Sequence, residues 1–120
     1  MAKLGRVHVA SFDTGIMTSA GDYPAAADRI TLPAGAVILR ATLVEKTTIA
    51  GLTNVQLKAG SSALMSVLAL GDIDAYELLT LTGNQVLGAH AALVLTTTGT
   101  ASGDSQALVH VEYIMSEDLS

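Results

Sequence analysis

The sequence contains no cysteine and no tryptophan, and it has one phenylalanine and three tyrosines among 120 residues. Without cysteine, the chain can form neither a disulfide framework nor a thiolate metal site, and the redox compartment is left open. Sugar-binding sites usually use aromatic side chains as platforms. The scarcity of aromatic residues therefore weakens an assignment as a lectin.

Charged residues are also scarce, at 14% of the chain against about 25% in ordinary soluble domains. The six basic residues are scattered, and the formal net charge is −5. Nucleic-acid binders need clustered Lys and Arg to displace counterions from phosphates. We therefore expect no nucleic-acid partner.

Long apolar runs are missing as well. Arg40 and Glu45 interrupt the most apolar region well before the ~20 residues that a membrane-spanning helix needs. The start, MAKLGRVHVASF, lacks the continuous apolar region of a secretory signal. We expect no membrane partner and synthesis in the cytoplasm.

The residues that are abundant are small and aliphatic, and half of the chain is hydrophobic. One domain covering 1–120 can bury roughly two-thirds of the surface that its unfolded chain exposes. The remaining apolar side chains then need a second place to be buried, and an interface between subunits provides one. The composition predicts an oligomer.

The most apolar stretch, ITLPAGAVILRATL, contains a proline and a glycine at Pro33 and Gly35. Inside a helix they would cost roughly 3 and 1 kcal/mol, whereas a turn accommodates both. After this turn, the alternation predicts a strand. Its buried side is expected to carry Val37, Leu39, Ala41 and Leu43, and its exposed side Arg40, Thr42 and Lys46.

The same period of two recurs along the chain. The residues expected on the buried sides of further strands are Val7 and Val9 around His8, then Val55, Leu57, Ala59, Leu93, Leu95, Val109, Val111, Tyr113 and Met115. Segments rich in Gly, Ser and Asn separate these strands. The pattern predicts an all-β chain folded as a β-sandwich.

Two segments do not follow this alternation. In the first, Ala63 to Leu79, Asp72 is a candidate cap for a short helix from Ile73 to Leu79. The second, residues 13–28, has no period and many small residues, so we expect a long loop or an N-terminal arm. Long loops in compact domains are often functional or interface segments.

The residues that resemble catalytic or metal-binding groups lack the partners that such sites need. Ser105 ends a GDS triplet, but only the alternating strand with His110 follows it. The carboxylates of Asp72 to Glu77 lack the remaining ligands of a calcium loop. His8 and His110 lie near each other if the first and last strands pair, yet zinc needs further ligands, and His90 has no local partner. We expect no catalytic residue, no metal and no cofactor.

Three stretches together carry a family resemblance: ITLPAGAVILRATLVEKT, NVQLKAGSS and AALVLTTTGTASGDSQALVHVEYI. The region from Ile30 to Ile114 resembles the small head decoration, or cement, proteins of tailed bacteriophages. Many of these proteins begin a strand with Leu-Pro-Ala-Gly-Ala-Val, and their last strand alternates and ends in Tyr.

The resemblance implies a jelly-roll-like antiparallel β-sandwich, often trimeric, that lies on the outer surface of the expanded capsid. There it implies a non-enzymatic role that stabilises the head by bridging subunits of the major capsid protein. No contact motif can be transferred residue by residue. We place the contact with the capsid or another subunit in the segment without a period, at Ile16, Met17 and Tyr23.

Two alternatives remain open at this point. Similar β-sandwich strands occur in tail, baseplate and fibre components, and a fold does not fix a function. A receptor- or carbohydrate-binding module is the alternative from another functional class.

Overall fold

The computed structural model describes residues 7–47, 52–69, 76–82, 86–100 and 105–115. Its strands are β1 (His8–Asp13), β2 (Gly21–Tyr23), β3 (Thr31–Leu32), β4 (Ala36–Thr47), β5 (Leu52–Ala59), β6 (Ser62–Ala63), β7 (Leu68–Ala69), β8 (Tyr76–Leu79), β9 (Ala91–Gly99) and β10 (Gln106–Met115). A single 3₁₀ turn, Ala26–Asp28, is the helical element of these ranges.

The strands form two antiparallel sheets. In the first sheet the order is β1-β10-β4-β8. In the second it is β2-β9-β5-β6, with β3 also paired to β9 and β7 to β5. The prediction of an all-β antiparallel sandwich is confirmed.

The core lies between the two sheets and is almost entirely aliphatic. Along β5 burial alternates as the sequence predicts, with Val55, Leu57 and Ala59 inside. On β10, Val109 and Val111 are fully buried, and Tyr113 and Met115 pack against the same core. Because each sheet has one apolar face, packing these faces together removes both from water.

The predicted turn at Pro33 to Gly35 is present between β3 and β4. The amide of Ala36 donates to the carbonyl of Pro33 at 3.2 Å. Gly35 has φ of 89°, a left-handed conformation that glycine adopts at little cost.

The predicted buried side of β4 is wrong over its first half. Ala36 and Ile38 face the core, whereas Leu39 is exposed and Val37 is half-buried. The register explains this reversal: Ile38 pairs with Tyr113 and Arg40 with Glu112, so Leu39 is an extra residue. Such a bulge reverses the inward side of the strand from that point. From Ala41 onward the predicted inward residues Ala41 and Leu43 are buried, but Thr42, predicted to be exposed, is buried as well, since it lies between His110 and Leu78 on the two neighbouring strands.

The predicted sides of β1 are also reversed. Val7 and Val9 are exposed, while Ala10 and Phe12 are buried. The ring of His8 stacks on that of Tyr113 with 5.2 Å between centroids. The short Val-His-Val alternation identifies a strand but does not say which side meets the opposite sheet.

The proposed short helix at Ile73 to Leu79 is wrong where the structure describes it. Tyr76–Leu79 is strand β8, which pairs with β4. Asp72, Ile73 and Asp74 lie outside the described residues. Pairing with β4 provides hydrogen-bond partners for backbone groups of this four-residue edge strand, so they do not need those of a helical turn. Within the described ranges, no helix has the length and apolar character to cross a membrane.

Candidate functional site

The segment between β1 and β2 leaves the first sheet and joins the second. It starts at Asp13, whose carboxylate contacts three parts of the chain. Oδ1 accepts hydrogen bonds from the amide of Gly15 and from Nε2 of Gln106, both at 2.8 Å. Oδ2 pairs with Nζ of Lys46 at 2.7 Å. Asp13 therefore connects the ends of β1, β4 and β10 to the start of the segment.

The next residue, Thr14, continues the pairing with β10 by means of its side chain. Its amide donates to the carbonyl of Ala107 at 2.9 Å, and its hydroxyl accepts the Ala107 amide at 3.1 Å. The same hydroxyl donates to the carbonyl of Gly15 at 2.8 Å. Gly15 has φ of 70°, which lets the chain turn away from the sheet.

Ile16 is held in an exposed position between two anchored residues. On one side is the turn at Gly15. On the other, Met17 is fully buried, and its amide donates to the carbonyl of Ser105 at 2.8 Å. The Ile16 side chain is 52% exposed. Because the backbone of Ile16 is already fixed, this segment loses little conformational entropy when a partner covers the side chain.

Tyr23 fixes the second half of the segment. Its hydroxyl accepts the amides of Thr18 and Ser19, each at 3.3 Å, and donates to the carbonyl of Ser19 at 2.9 Å. Burial raises the pKa of the Tyr23 hydroxyl, but the hydrogen bonds from the Ser19 and Thr18 backbone outweigh this effect and leave the pKa below its ordinary value. The Tyr23 hydroxyl therefore stabilises the turn that precedes β2.

An open groove of about 700 Å³ runs between β1 and this segment. β1 is an edge strand of the first sheet, so the groove lies beside a sheet edge. The groove is lined by Ser11, Phe12, Ile16, Tyr23, Pro24, Asp28 and Ile30, among others. Its lining combines apolar side chains with two carboxylates, those of Asp13 and Asp28.

The three contact residues predicted from the sequence occupy different positions around this groove. Ile16 and Tyr23 line it, and Ile16 is the more exposed. Met17 points into the core, so it acts on this surface by anchoring Ile16. That these residues contact a capsid or a second subunit stays a prediction.

The hydrogen bonds that shape the groove involve residues that the sequence reading did not single out, namely Asp13, Thr14, Lys46 and Gln106. A local signal existed for the first two. Asp-Thr-Gly is typical of a turn in which an Asp side chain accepts the amide two residues later. Lys46 and Gln106 are distant in sequence, and only strand pairing brings them to Asp13.

The pKa of Asp13 gives a prediction about stability and pH. The hydrogen bond from Lys46, followed by that from Gln106, lowers the pKa from 3.8 to about 2. A carboxyl group whose pKa is lower in the folded state stabilises the fold at every pH above its unfolded-state pKa. This stabilisation is lost as the pH falls through the folded-state pKa. The side chains of Asp13 and Lys46 are both partly exposed, so solvent screens their interaction. We expect it to contribute about 1 kcal/mol to the free energy of unfolding.

The measurement compares wild type with Asp13→Asn, which keeps an acceptor oxygen but does not titrate. In urea unfolding above pH 4, wild type should be the more stable protein by this amount. The difference should shrink as the pH falls from 3.8 to about 2. A difference that is constant over this range would contradict the assignment.

The residues considered for chemistry are not brought together. β1 and β10 do pair, but His8 is opposite Tyr113 and His110 is opposite Ser11, so the two imidazoles are on opposite faces of the sheet. His90 is exposed in the loop before β9. Ser105 is fully buried. Over the ranges that the structure describes, no three His, Cys, Asp or Glu side chains are grouped to hold a metal.

Comparison with solved structures finds the same architecture in bacteriophage particles. A chain in the acidic stable capsid structure of Helicobacter pylori bacteriophage KHP30 superposes with a TM-score of 0.71 at 13% identity, covering 97% of this chain and 94% of that one. The chain shares its fold with bacteriophage capsid chains.

Two further capsid structures contain similar chains. One is the cyanophage Pam1 capsid asymmetric unit, with a TM-score of 0.65 and 22% identity over 92% of this chain and 86% of that one. The other is the capsid of Ralstonia phage GP4, with a TM-score of 0.60 and 17% identity over 92% and 85%. No protein family model and no curated protein matches the sequence.

Proposed function

We propose that this chain is a non-enzymatic structural protein of a bacteriophage virion. In this proposal it binds the outer surface of the capsid and stabilises the expanded head by bridging subunits of the major capsid protein. The observation that carries the proposal is the fold shared with chains of three phage capsid structures, over at least 92% of this chain.

The groove beside β1 is the surface that we propose for contact with the capsid. A capsid segment that packs there covers Ile16 at the rim and meets Tyr23 in the wall. The hydrogen bonds of Asp13, Met17 and Tyr23 hold the rim in place before binding. Preorganisation of this kind increases affinity because less freedom is lost on association.

Binding to the expanded state alone is sufficient to stabilise the head. A ligand that binds one state stabilises it by about 2.7 kcal/mol per site at a hundred times its Kd. A trimer on a local three-fold junction engages several capsid subunits together, so weak contacts gain from effective concentration. High occupancy therefore does not require a strong individual contact.

The test uses the purified chain with expanded heads and with procapsids of the same phage, both lacking this protein. We expect cosedimentation with expanded heads and not with procapsids, and we expect bound heads to release DNA at a higher temperature. Equal binding to procapsids would contradict the role of expansion. Normal stability of depleted heads, together with antibody labelling of the tail, would contradict the capsid proposal itself.

A further inference from the structure

The first sheet has a second face, directed away from the core, and this face exposes aliphatic side chains. Val9 is 56% exposed, Leu78 53% and Leu108 38%. Val44, opposite Leu108, is half-buried. We call this surface the outer face, and its members are Val9, Ser11, Asp13, Arg40, Thr42, Val44, Lys46, Leu78, Leu108, His110 and Glu112.

A continuous row crosses the middle of the outer face. Ser11 on β1 is opposite His110 on β10, which is opposite Thr42 on β4, and Thr42 is opposite Leu78 on β8. The Ser11 hydroxyl and Nδ1 of His110 share a hydrogen bond of 3.1 Å. Beside this row is a depression of about 310 Å³ with Leu108 and Val44 in its wall. The outer face is therefore not flat: it has an apolar depression and projecting aliphatic side chains.

The charges on the outer face are balanced, although the chain has a formal net charge of −5. Nε of Arg40 pairs with a carboxylate oxygen of Glu112 at 3.1 Å, and Lys46 pairs with Asp13 at 2.7 Å. Two acidic chains repel each other, so a neutral surface is the one on which two copies approach at the smallest electrostatic cost.

The arrangement of these charges is also complementary to itself. Both cations, Arg40 and Lys46, are on β4, whereas the anions Asp13 and Glu112 are on β1 and β10. The β4 side of one copy therefore matches the β1 side of another. A head-to-tail contact of this kind closes into a ring when the rotation allows it.

We propose that the outer face of the first sheet is the surface through which copies of this chain associate. This inference deepens the proposed function, because it names the interface of the oligomer that would engage several capsid subunits. It also assigns two adjoining surfaces to two partners: the groove beside β1 meets the capsid, and the outer face meets a second copy. Ser11 and Asp13 belong to the outer face and also line the groove, so the two surfaces meet along β1.

The test is sedimentation of the purified chain in the absence of capsids, so its result does not depend on capsid binding. Wild type should be oligomeric at tens of micromolar. Leu108→Asp places an unpaired charge in the interface and should weaken association at least about tenfold. Val9→Asp, at another point of the same face, should have the same effect, and far-UV circular dichroism should show that both variants remain folded.

Val67→Asp is the matched control, because Val67 is 57% exposed, close to the 56% of Val9, but lies between β6 and β7 of the second sheet. Its oligomer mass should equal that of wild type. A monomeric wild type at tens of micromolar would overturn the inference. Retention of wild-type association by both folded variants, Leu108→Asp and Val9→Asp, would overturn it equally.

A second pair of variants tests the arrangement of charges. Exchanging the partners, Arg40→Glu with Glu112→Arg, keeps an ion pair within the chain but reverses its direction across the face. We expect the double variant to fold normally and to associate more weakly than wild type. Association as strong as in wild type would contradict the proposed head-to-tail contact.

Discussion

Ile38→Ala is expected to reduce the free energy of unfolding by about 2–5 kcal/mol, whereas Leu39→Ala should change it by less than about 0.5 kcal/mol. Ile38 is 3% exposed and Leu39 is 49% exposed. The large cost arises because truncation of a buried side chain removes apolar contacts and leaves a cavity. Urea unfolding of the two variants beside wild type measures both effects.

This pair of neighbours tests the bulge directly, since simple alternation along β4 assigns them the opposite roles. Leu43→Ala serves as a reference, because Leu43 is fully buried on the part of β4 where alternation and structure agree. Its cost should resemble that of Ile38→Ala. A larger loss for Leu39→Ala than for Ile38→Ala would show that the register with β10 is wrong.

Ile16→Asp should abolish most binding to expanded heads and leave the fold intact. Full burial of an isoleucine side chain contributes about 1.5–3 kcal/mol, and covering the 52% of Ile16 that is exposed contributes about half of this. Burying the charge of the introduced Asp without a partner adds a further cost, and ~1.4 kcal/mol corresponds to a tenfold change in affinity. We therefore expect at least about a tenfold loss for each contact. In a multivalent oligomer the loss is multiplied over the contacts made together. Cosedimentation with heads, at several concentrations of the variant, measures it.

Val67→Asp is the control for this experiment. Val67 is 57% exposed, close to the 52% of Ile16, but it lies between β6 and β7 and outside the groove. Its binding to heads should match that of wild type. Equal binding by Ile16→Asp and wild type would remove the groove from the capsid contact. The capsid proposal itself would still be tested by the unmodified chain.

Most of the strands can be predicted from the sequence alone. Alternation along β5 and β10 is strong because each strand has one face in the core, and such a face must carry apolar side chains at every second position. On β9 the alternation is weaker, because Leu93, Val94 and Leu95 are buried in succession. Pro33 and Gly35 identified the turn before β4 for a local reason, because their backbone preferences fit a turn and oppose a helix. Residues 13–28 have no period in the sequence, so the short strand β2 within them could not be predicted.

Where alternation is short or interrupted, the buried side of a strand depends on its pairing with distant strands. The extra residue at Leu39 reverses the inward side of β4, and this depends on pairing with Glu112 and Tyr113, which are distant in sequence. The grouping of Asp13 with Lys46 and Gln106 depends on pairing between β1, β4 and β10 for the same reason. Strand pairing is a property of segments far apart in the chain, so no local pattern contains it.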